Sequence, residues 1–251
     1  MDNNLINVNV TDSFWGSPLH AAAQISSIES MKILLAQTDI NVNAQQMNDQ
    51  TALHIAAGKN NVEIVQLLFA HTGINVNVVD RLYDTPLRKA ANSGATETAK
   101  LLLAHKDINL RLVYWKGYSA LHLAAGAGLI EMLKETLKTD NIDVDQKDLE
   151  GKTPLHYAAQ NGKVECVKEL LAVNNINVNA QDVEGQSPLH CAVAEGTVEC
   201  VNALLAHKDV NVNIKDYSQS TPLSLTNRPW IHNREKKALL LIKHGAISQS
   251  S

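Results

Sequence analysis

Histidine is the residue type in this sequence with the widest capacity for chemistry, because imidazole binds metals and moves protons. The chain has 251 residues and ten histidines. Neighbours in one series lie one or two 34-residue steps apart: His20, His54, His122, His156 and His190. A second series follows multiples of the same step: His71, His105 and His207. A zinc site needs ligands that converge on one point, often at i and i+4 of a helix. One histidine per step does not converge, so the spacing predicts structural histidines and no metal.

The three cysteines also follow the repeating step more than any catalytic pattern. Cys166 and Cys200 lie one step apart in a slot that elsewhere holds Ile64, so we expect buried apolar side chains. Stacked helices lie about 8–10 Å apart, which exceeds the roughly 7 Å Cα separation that a disulfide allows. Cys191 follows His190, but adjacent helical residues point about 100° apart, which argues against a nucleophile–base pair. The sequence has no phosphate loop and no G-x-S-x-G motif, so we expect no enzyme, no catalytic residue and no cofactor.

A tetrad of the form Ser/Thr-Pro/Ala-Leu-His, or a variant of it, recurs through the chain with this fixed step. The tetrads begin at Ser17, Thr51, Thr85, Ser119, Thr153, Ser187 and Thr221. A second marker, Ile-Asn-Val-Asn or a variant of it, keeps the same step and begins at Ile6, Ile40, Ile74, Ile108, Ile142, Ile176 and Val210. A fixed period of this length indicates a repeat array and takes precedence over a domain count based on chain length.

Each repeat predicts two short helices and an extended finger. Ser or Thr caps the first helix, and proline is tolerated at its first position. The turn after the first helix contains a glycine in four repeats, at Gly94, Gly128, Gly162 and Gly196, because glycine readily takes a positive φ. Asn60 holds this position in the second repeat, and Ser26 in the first repeat departs from the pattern. A second helix follows with apolar spacing, as in Val164, Val167, Leu170 and Leu171. The Ile-Asn-Val-Asn segment and the tip after it form the finger.

These residues resemble the ankyrin repeat, whose unit is a turn and two antiparallel helices with a T-P-L-H-x-A motif. The match is clearest at Thr153-Pro154-Leu155-His156-Tyr157-Ala158-Ala159, Gly162 and Leu170-Leu171, and it extends from about residue 6 to residue 247. The resemblance implies an all-α ankyrin-repeat solenoid of about seven 34-residue helix-turn-helix units with short β-hairpin-like fingers, rather than two domains. It also implies that the tetrad histidine bonds the capping hydroxyl and the neighbouring backbone.

The step divides the chain into terminal and internal units. Residues 1–16 are an N-terminal half finger, the six ankyrin repeats are 17–50, 51–84, 85–118, 119–152, 153–186 and 187–220, and residues 221–251 are a degenerate C-terminal capping repeat and tail. Terminal repeats are expected to be atypical because they present an outer face to water. The fourth repeat is predicted to be the least stable of the internal repeats. Glu135 and Thr136 stand there in the positions that Leu67 and Leu68 hold in the second repeat.

Composition narrows the class of partner. Net charge is -4 with 22 Lys and Arg against 26 Asp and Glu, which disfavours nucleic acid as a ligand. No apolar run approaches the roughly 18 residues of a membrane span, and the N-terminus lacks a secretory signal pattern. We therefore expect an intracellular, cytoplasmic protein that binds neither nucleic acid nor membrane and is monomeric on its own.

Aromatic residues concentrate in the finger tips, where ankyrin repeats commonly hold partners. Aromatic and arginine side chains are enriched at interface hot spots. The predicted partner-binding set is Arg81, Leu82, Tyr83, Arg88, Lys89, Arg111, Tyr114, Trp115, Lys116 and Tyr118. Secondary candidates are Phe14, Trp15, Tyr217 and Trp230. The alternative interpretation is sequence drift, with the aromatics packing on neighbouring fingers.

The expected function is that of a protein–protein interaction module, an adaptor or scaffold that binds another protein through its finger tips and concave face. A second interpretation is a regulatory or targeting subunit that inhibits or recruits an enzyme. Family analogy adds a secreted effector of a host-associated bacterium as a further alternative.

Overall fold

The structure, a computed structural model, describes residues 7–12, 15–110, 117–138 and 141–247. These residues form fourteen helices and no β-strand, so the predicted all-α fold is confirmed for the part of the chain described. The helices come in pairs, α1 Pro18–Gln24 with α2 Ile28–Leu35, α3 Ala52–Gly58 with α4 Val62–Phe69, and α5 Pro86–Asn92 with α6 Thr96–Leu103. The later pairs are α7 Ala120–Ala127 with α8 Ile130–Leu137, α9 Pro154–Gln160 with α10 Val164–Leu171, α11 Pro188–Ala194 with α12 Val198–Leu205, and α13 Pro222–Leu225 with α14 Arg234–Lys243.

The chain packs as two compact units, Met1–Asn109 and Leu110–Ser251. In the first unit, α1, α3 and α5 pack in succession, and so do α2, α4 and α6. In the second unit, α7, α9, α11 and α13 form one row, while α8, α10, α12 and α14 form the other. Alanines such as Ala158 and Ala192, both fully buried, let neighbouring first helices pack closely.

The tetrad histidine joins the start of a repeat to the end of the finger of the same repeat. In the second repeat, Nδ1 of His54 accepts the backbone N–H of Thr51 at 3.1 Å, and Nδ1 lies 2.9 Å from the Thr51 hydroxyl. The other ring nitrogen, Nε2, lies 2.9 Å from the carbonyl oxygen of Asp84, 30 residues further on. Since Nδ1 accepts from the backbone, the proton lies on Nε2, which donates to that carbonyl. The same arrangement recurs at His20, His122, His156 and His190, which confirms their structural role.

The turn between paired helices follows the predicted pattern with one exception. Gly94 and Gly162 have φ of 68°, and Ser26 adopts the same region with φ 58° despite its side chain. The prediction was wrong for Gly196, which is absent from the positive-φ residues. Glycine is needed there for space, because a Cβ atom would approach the carbonyl oxygen of Ala159 to 2.1 Å.

The fingers close through short turns, and the described residues in them form no β-strand. Among the described residues β-type pairing is limited to isolated bridges, between Asp12 and Gly16 and at Ser119. In the finger that begins at Asp182, the N–H of Asp182 donates to the carbonyl of Gln186 at 3.0 Å. Oδ1 of Asp182 accepts the N–H groups of Glu184 and Gln186 at 2.9 and 2.8 Å. This short side chain satisfies the turn's backbone donors, which removes the need for a strand ladder.

The fourth repeat has one buried polar replacement, not two. Thr136 is fully buried, and its hydroxyl donates to the carbonyl of Met132 at 2.7 Å. Glu135 is exposed and pairs with Lys138 at 2.7 Å, so its replacement of a leucine does not touch the core. The expected weakness therefore rests on Thr136 alone.

The capping repeat is anchored by a buried lysine. Helix α13 has only four residues, and α14 follows after an irregular segment. Nζ of Lys237, on α14, donates to the carbonyls of Val193 and Gly196, both at 2.8 Å. Lys237 is 1% exposed, and burial lowers its pKa. The lysine thus satisfies backbone acceptors at the end of α11, where Gly196 lacks the usual turn conformation.

Candidate partner-binding surface

Two of the predicted anchors in the first unit are exposed at a finger tip. Leu82 is 61% and Tyr83 56% exposed. Tyr83 has a φ of 60°, and its N–H donates to the carbonyl of Asp80 at 2.8 Å, so the turn holds the aromatic ring at the tip. These two side chains are available for contact without any change of backbone conformation.

The basic residues beside this tip are already paired with carboxylates of adjoining fingers. Nε of Arg88 lies 2.7 Å from a carboxylate oxygen of Asp84. Nζ of Lys89 lies 2.9 Å from oxygens of both Asp80 and Asp84. Arg81 is more loosely placed, with Nε 3.9 Å from Asp49. The expected basic ring therefore carries little net charge here, and its attraction for an acidic partner is reduced.

The pKa shifts of this cluster have opposing causes. Burial alone would raise the pKa of Asp80, but hydrogen bonds from Lys89, from the backbone of Asp84 and from Gln50 outweigh burial and lower it. Burial alone would lower the pKa of Lys89, but the two carboxylates outweigh burial and raise it. Both groups are thus held in their charged forms.

The remaining predicted residues fall in different places. Arg111, Tyr114, Trp115 and Lys116 lie outside the described residues, as does Phe14. Tyr118 is half-buried, its hydroxyl donates to the carbonyl of His122 at 3.3 Å, and its ring packs edge-on against Tyr157 at 5.0 Å. For Tyr118 the alternative interpretation, packing within the array, describes the geometry. Trp15, Tyr217 and Trp230 are 43%, 69% and 74% exposed.

The second unit carries an apolar series that the sequence interpretation missed. Leu149, Val183 and Tyr217 are 74%, 62% and 69% exposed, and we call these three residues the tip ladder. Each directly follows the aspartate that opens its finger, so the three occupy one position in successive repeats. The sequence signal for this series is an apolar residue directly after the finger aspartate in successive repeats. A search for aromatic residues finds only Tyr217 of the three.

Hydrogen bonds between fingers hold the tip ladder in register. The N–H of Val183 donates to the carbonyl of Glu150, and the N–H of Tyr217 donates to that of Glu184, both at 3.0 Å. Gly185 permits this approach, because a Cβ atom there would lie 2.6 Å from the backbone nitrogen of Tyr217. Three apolar side chains are therefore presented by a stacked and ordered edge.

The tetrad histidines and the three cysteines are buried, and burial shifts the pKa of each toward its neutral form. Burial lowers the pKa of His156 to about 4, against an opposing hydrogen bond to the carbonyl of Gln186. Burial raises the pKa of Cys166 to about 11 and that of Cys191 to about 12. All three cysteines are free, and no cluster of His, Cys, Asp or Glu suited to a metal ion occurs among the described residues.

A wide groove lies on the opposite side of the second unit, between the second helices. It has a volume of about 1040 Å³ and runs between α10 and α12, where Leu171, Ala203 and Ala206 meet the charged side chains of Lys168 and Glu199. Asn202 is exposed along the same groove. The groove shares no lining residue with the tip ladder, so a substitution at Asn202 is a control for substitutions at the finger tips.

Comparisons with known proteins agree with the repeat pattern and the fold. A family model described as ankyrin repeats (3 copies) matches residues 3–80, 75–148 and 121–216. The crystal structure of the human ASB11 ankyrin repeat domain is similar, with a TM-score of 0.70 and 28% sequence identity. The alignment covers 92% of this chain and 99% of that one. A search of curated proteins finds no match.

The chain therefore belongs to the ankyrin repeat family. Ankyrin repeats are generally protein–protein interaction modules and are typically not enzymes. None of the helices in the described part of the chain is long and apolar enough to cross a membrane.

Proposed function

We propose that this protein is an adaptor that holds a protein partner on its finger tips and on the adjoining first helices. The observation that carries the proposal is the tip ladder of Leu149, Val183 and Tyr217, three exposed apolar side chains at one repeat position. Exposed apolar groups in an ordered row are typical of interaction sites, because a partner removes them from water. In the first unit, Leu82 and Tyr83 provide a second exposed group of the same kind.

The acidic partner expected from the sequence is not favoured by the charges at these tips. Arg88 and Lys89 have carboxylate partners within 3 Å, so they offer little excess positive charge. The proposal rests instead on the exposed apolar and aromatic side chains, such as Leu82 and Tyr83. The residues 111–116, which include Trp115 at the same finger position as Leu149, remain part of the proposed surface on sequence grounds.

Affinity capture with variants tests the proposal. The wild-type chain and a Leu149→Ser, Val183→Ser, Tyr217→Ser variant would be immobilised and exposed to extract, and retained proteins identified by mass spectrometry. We expect a protein retained by the wild type and by Asn202→Ala, which alters the opposite groove, to be lost by the triple variant. Unchanged helicity and melting temperature in the triple variant would exclude unfolding as the cause. Equal retention by all three chains would refute the adaptor surface.

The same capture separates the adaptor from the regulatory-subunit alternative. A partner that co-elutes in fixed stoichiometry through size-exclusion chromatography favours a stable subunit of a larger assembly. A partner that exchanges during the run favours the adaptor.

A further inference from the structure

A cavity lies beside the tip ladder, on the finger side of the second unit. Its volume is about 230 Å³, several times the roughly 30 Å³ that one water molecule occupies. Its walls include the carboxylates of Glu150, Asp182, Glu184 and Glu195 and one ammonium group, that of Lys152. We call it the carboxylate cavity, and Val183 of the tip ladder forms part of its wall.

One carboxylate oxygen in this cavity lacks the donor that the corresponding oxygen of Asp148 has. In the preceding finger, Oδ2 of Asp148 accepts the hydroxyl of Tyr157 at 2.7 Å. The residue that corresponds to Tyr157 one repeat later is Cys191, a buried thiol on the cavity wall. Asp182 is 4% exposed, and both hydrogen bonds from its own turn go to Oδ1. Asp182 lines the cavity, and its Oδ2 accepts no hydrogen bond from the described residues.

The other walls leave the cavity acidic. Nζ of Lys152 lies 3.6 Å from Glu150, so that ammonium is engaged with the nearest carboxylate. Gln186 donates to one oxygen of Glu184 at 3.0 Å, and Gln160 donates to one oxygen of Glu195 at 2.8 Å. Neutral amides position these carboxylates without neutralising them. Four carboxylates against one ammonium leave an excess of negative charge around a space open to a side chain.

The first unit shows how the array neutralises such a finger when it does so internally. There the residue corresponding to Tyr157 and Cys191 is Lys89, whose Nζ lies 2.9 Å from Asp80. Asp80 opens its finger as Asp182 does. A lysine at this position thus donates a charged hydrogen bond to the finger aspartate. The repeat that contains Cys191 has no ammonium group at this position.

We propose that the carboxylate cavity receives a cationic side chain, arginine or lysine, from the protein partner, while apolar residues beside that cation contact the tip ladder. This inference rests on the proposed adaptor function and adds the chemistry of the partner. The cation would donate to Oδ2 of Asp182 and to Glu184 and Glu195, in the way that Lys89 donates to Asp80 in the first unit. Charge complementarity of this kind contributes specificity and a salt-dependent association rate.

Selection of peptides on the whole chain tests the proposal. Phage-displayed random dodecapeptides would be panned against the immobilised protein, and an enriched peptide synthesised with a fluorescent label. We expect enriched peptides to contain arginine or lysine next to apolar residues. Replacing the arginine with citrulline, or the lysine with acetyl-lysine, should weaken binding about tenfold in fluorescence polarisation, since a charged hydrogen bond is lost.

Matched variants locate the contact. Asp182→Asn keeps the Oδ1 acceptor that the turn requires but removes the charge, and Glu195→Gln alters an exposed wall residue. Both should weaken the charged peptide and leave the citrulline peptide unchanged. Asp216→Asn makes the same change one finger further on, outside the cavity wall, and should leave both affinities unchanged.

The outcomes separate the two proposals. Peptides that lose binding to the Leu149→Ser, Val183→Ser, Tyr217→Ser variant, yet bind equally well as citrulline versions, would overturn the cationic occupant and leave the adaptor surface intact. Enrichment of no peptide, or of peptides indifferent to the tip ladder, would overturn both.

Discussion

Nζ of Lys89 lies 2.9 Å from a carboxylate oxygen of Asp80, a side chain that is almost entirely buried in its finger. The lysine occupies a position that holds Leu123, Tyr157 or Cys191 in later repeats. A residue that the sequence suggested as part of a basic binding surface therefore stabilises the finger of the preceding repeat. The ammonium group of Lys89 is already ion-paired with Asp80 in the free protein.

Lys89→Ala should lower the free energy of unfolding by about 2 kcal/mol, because Asp80 and Asp84 would lose a charged donor. The folded pKa of Asp80 lies below its ordinary value of 3.8, so this contribution is present above pH 3.8 and is lost as pH falls through the folded pKa. Urea denaturation at several pH values measures it. Lys100→Ala removes a lysine paired with Glu97 on an exposed helix face and should cost less than about 0.5 kcal/mol. Equal costs for the two variants would contradict the assignment.

Lys237→Ala should destabilise the capping repeat by about 2–4 kcal/mol, because it leaves the carbonyls of Val193 and Gly196 without their donor and opens space in a packed region. Hydrogen exchange should accelerate first in α14 and at the end of α11, since repeat arrays lose structure locally. Lys236→Ala, at the exposed neighbouring residue, is the control and should leave exchange unchanged. Loss of protection spread evenly over the chain would count against a local anchor.

Asp145→Asn should raise the free energy of unfolding by about 1 kcal/mol. In the equivalent place, Asn179 accepts the N–H of Asn211 at 2.8 Å through its oxygen and donates its amide to the carbonyl of Asp209 at 2.7 Å. Asp145 accepts the N–H of Asn177, but an ionised carboxylate cannot donate to the equivalent carbonyl. The reciprocal variant Asn179→Asp should destabilise the chain.

The gain from Asp145→Asn should depend on pH. Burial raises the pKa of Asp145, so the folded state binds a proton more tightly than the unfolded state. Wild-type stability therefore falls as pH rises from 3.8 through the raised pKa, and the advantage of asparagine is full above it. Paired urea titrations at neutral and acidic pH measure the difference. A gain that does not shrink toward pH 3.8 would show that the carboxylate is not the cause.

Thr136→Leu should raise the free energy of unfolding by about 1 kcal/mol, because its fully buried slot holds leucine in the second repeat. The threonine hydroxyl bonds only within its own helix, to Met132, so its removal orphans no distant group. Thermal and urea denaturation measure the change. A loss of stability would mean that the slot is too small for the added methyl groups.

The first helix of each pair could be predicted from the sequence because it begins after a Ser or Thr at the N-cap. In the fifth repeat, Thr153 is the N-cap and Pro154 the first helical residue. His156, in the same turn, forms a capping box with Thr153. The Ser26 and Gly196 turns departed from residue preference, because Ser26 has a positive φ despite its side chain and Gly196 is required by its approach to Ala159. The fixed repeat period predicted which residues are equivalent, which covered most of the fold.

The candidate site was only partly predictable, because charge and exposure at the tips depend on neighbours. The pairing of Arg88 with Asp84 has a helical i,i+4 spacing that the sequence contained. The carboxylate cavity joins Asp182 and Glu184 of a finger to Glu195, beyond the end of α11, and no short motif marks that combination. The tip ladder was readable in principle, as apolar residues one place after each finger aspartate.

The measurement that tests the adaptor surface most directly is the dissociation constant of a captured partner for Val183→Ser, set against that for Asn202→Ala. Val183 belongs to the tip ladder and borders the carboxylate cavity, whereas Asn202 lies on the opposite groove. Full burial of a valine side chain contributes about 1.5 kcal/mol or more, so we predict binding weakened about tenfold for Val183→Ser and unchanged for Asn202→Ala. Unchanged binding by Val183→Ser, with Asn202→Ala weakened, would contradict the account and move the partner to the second-helix side.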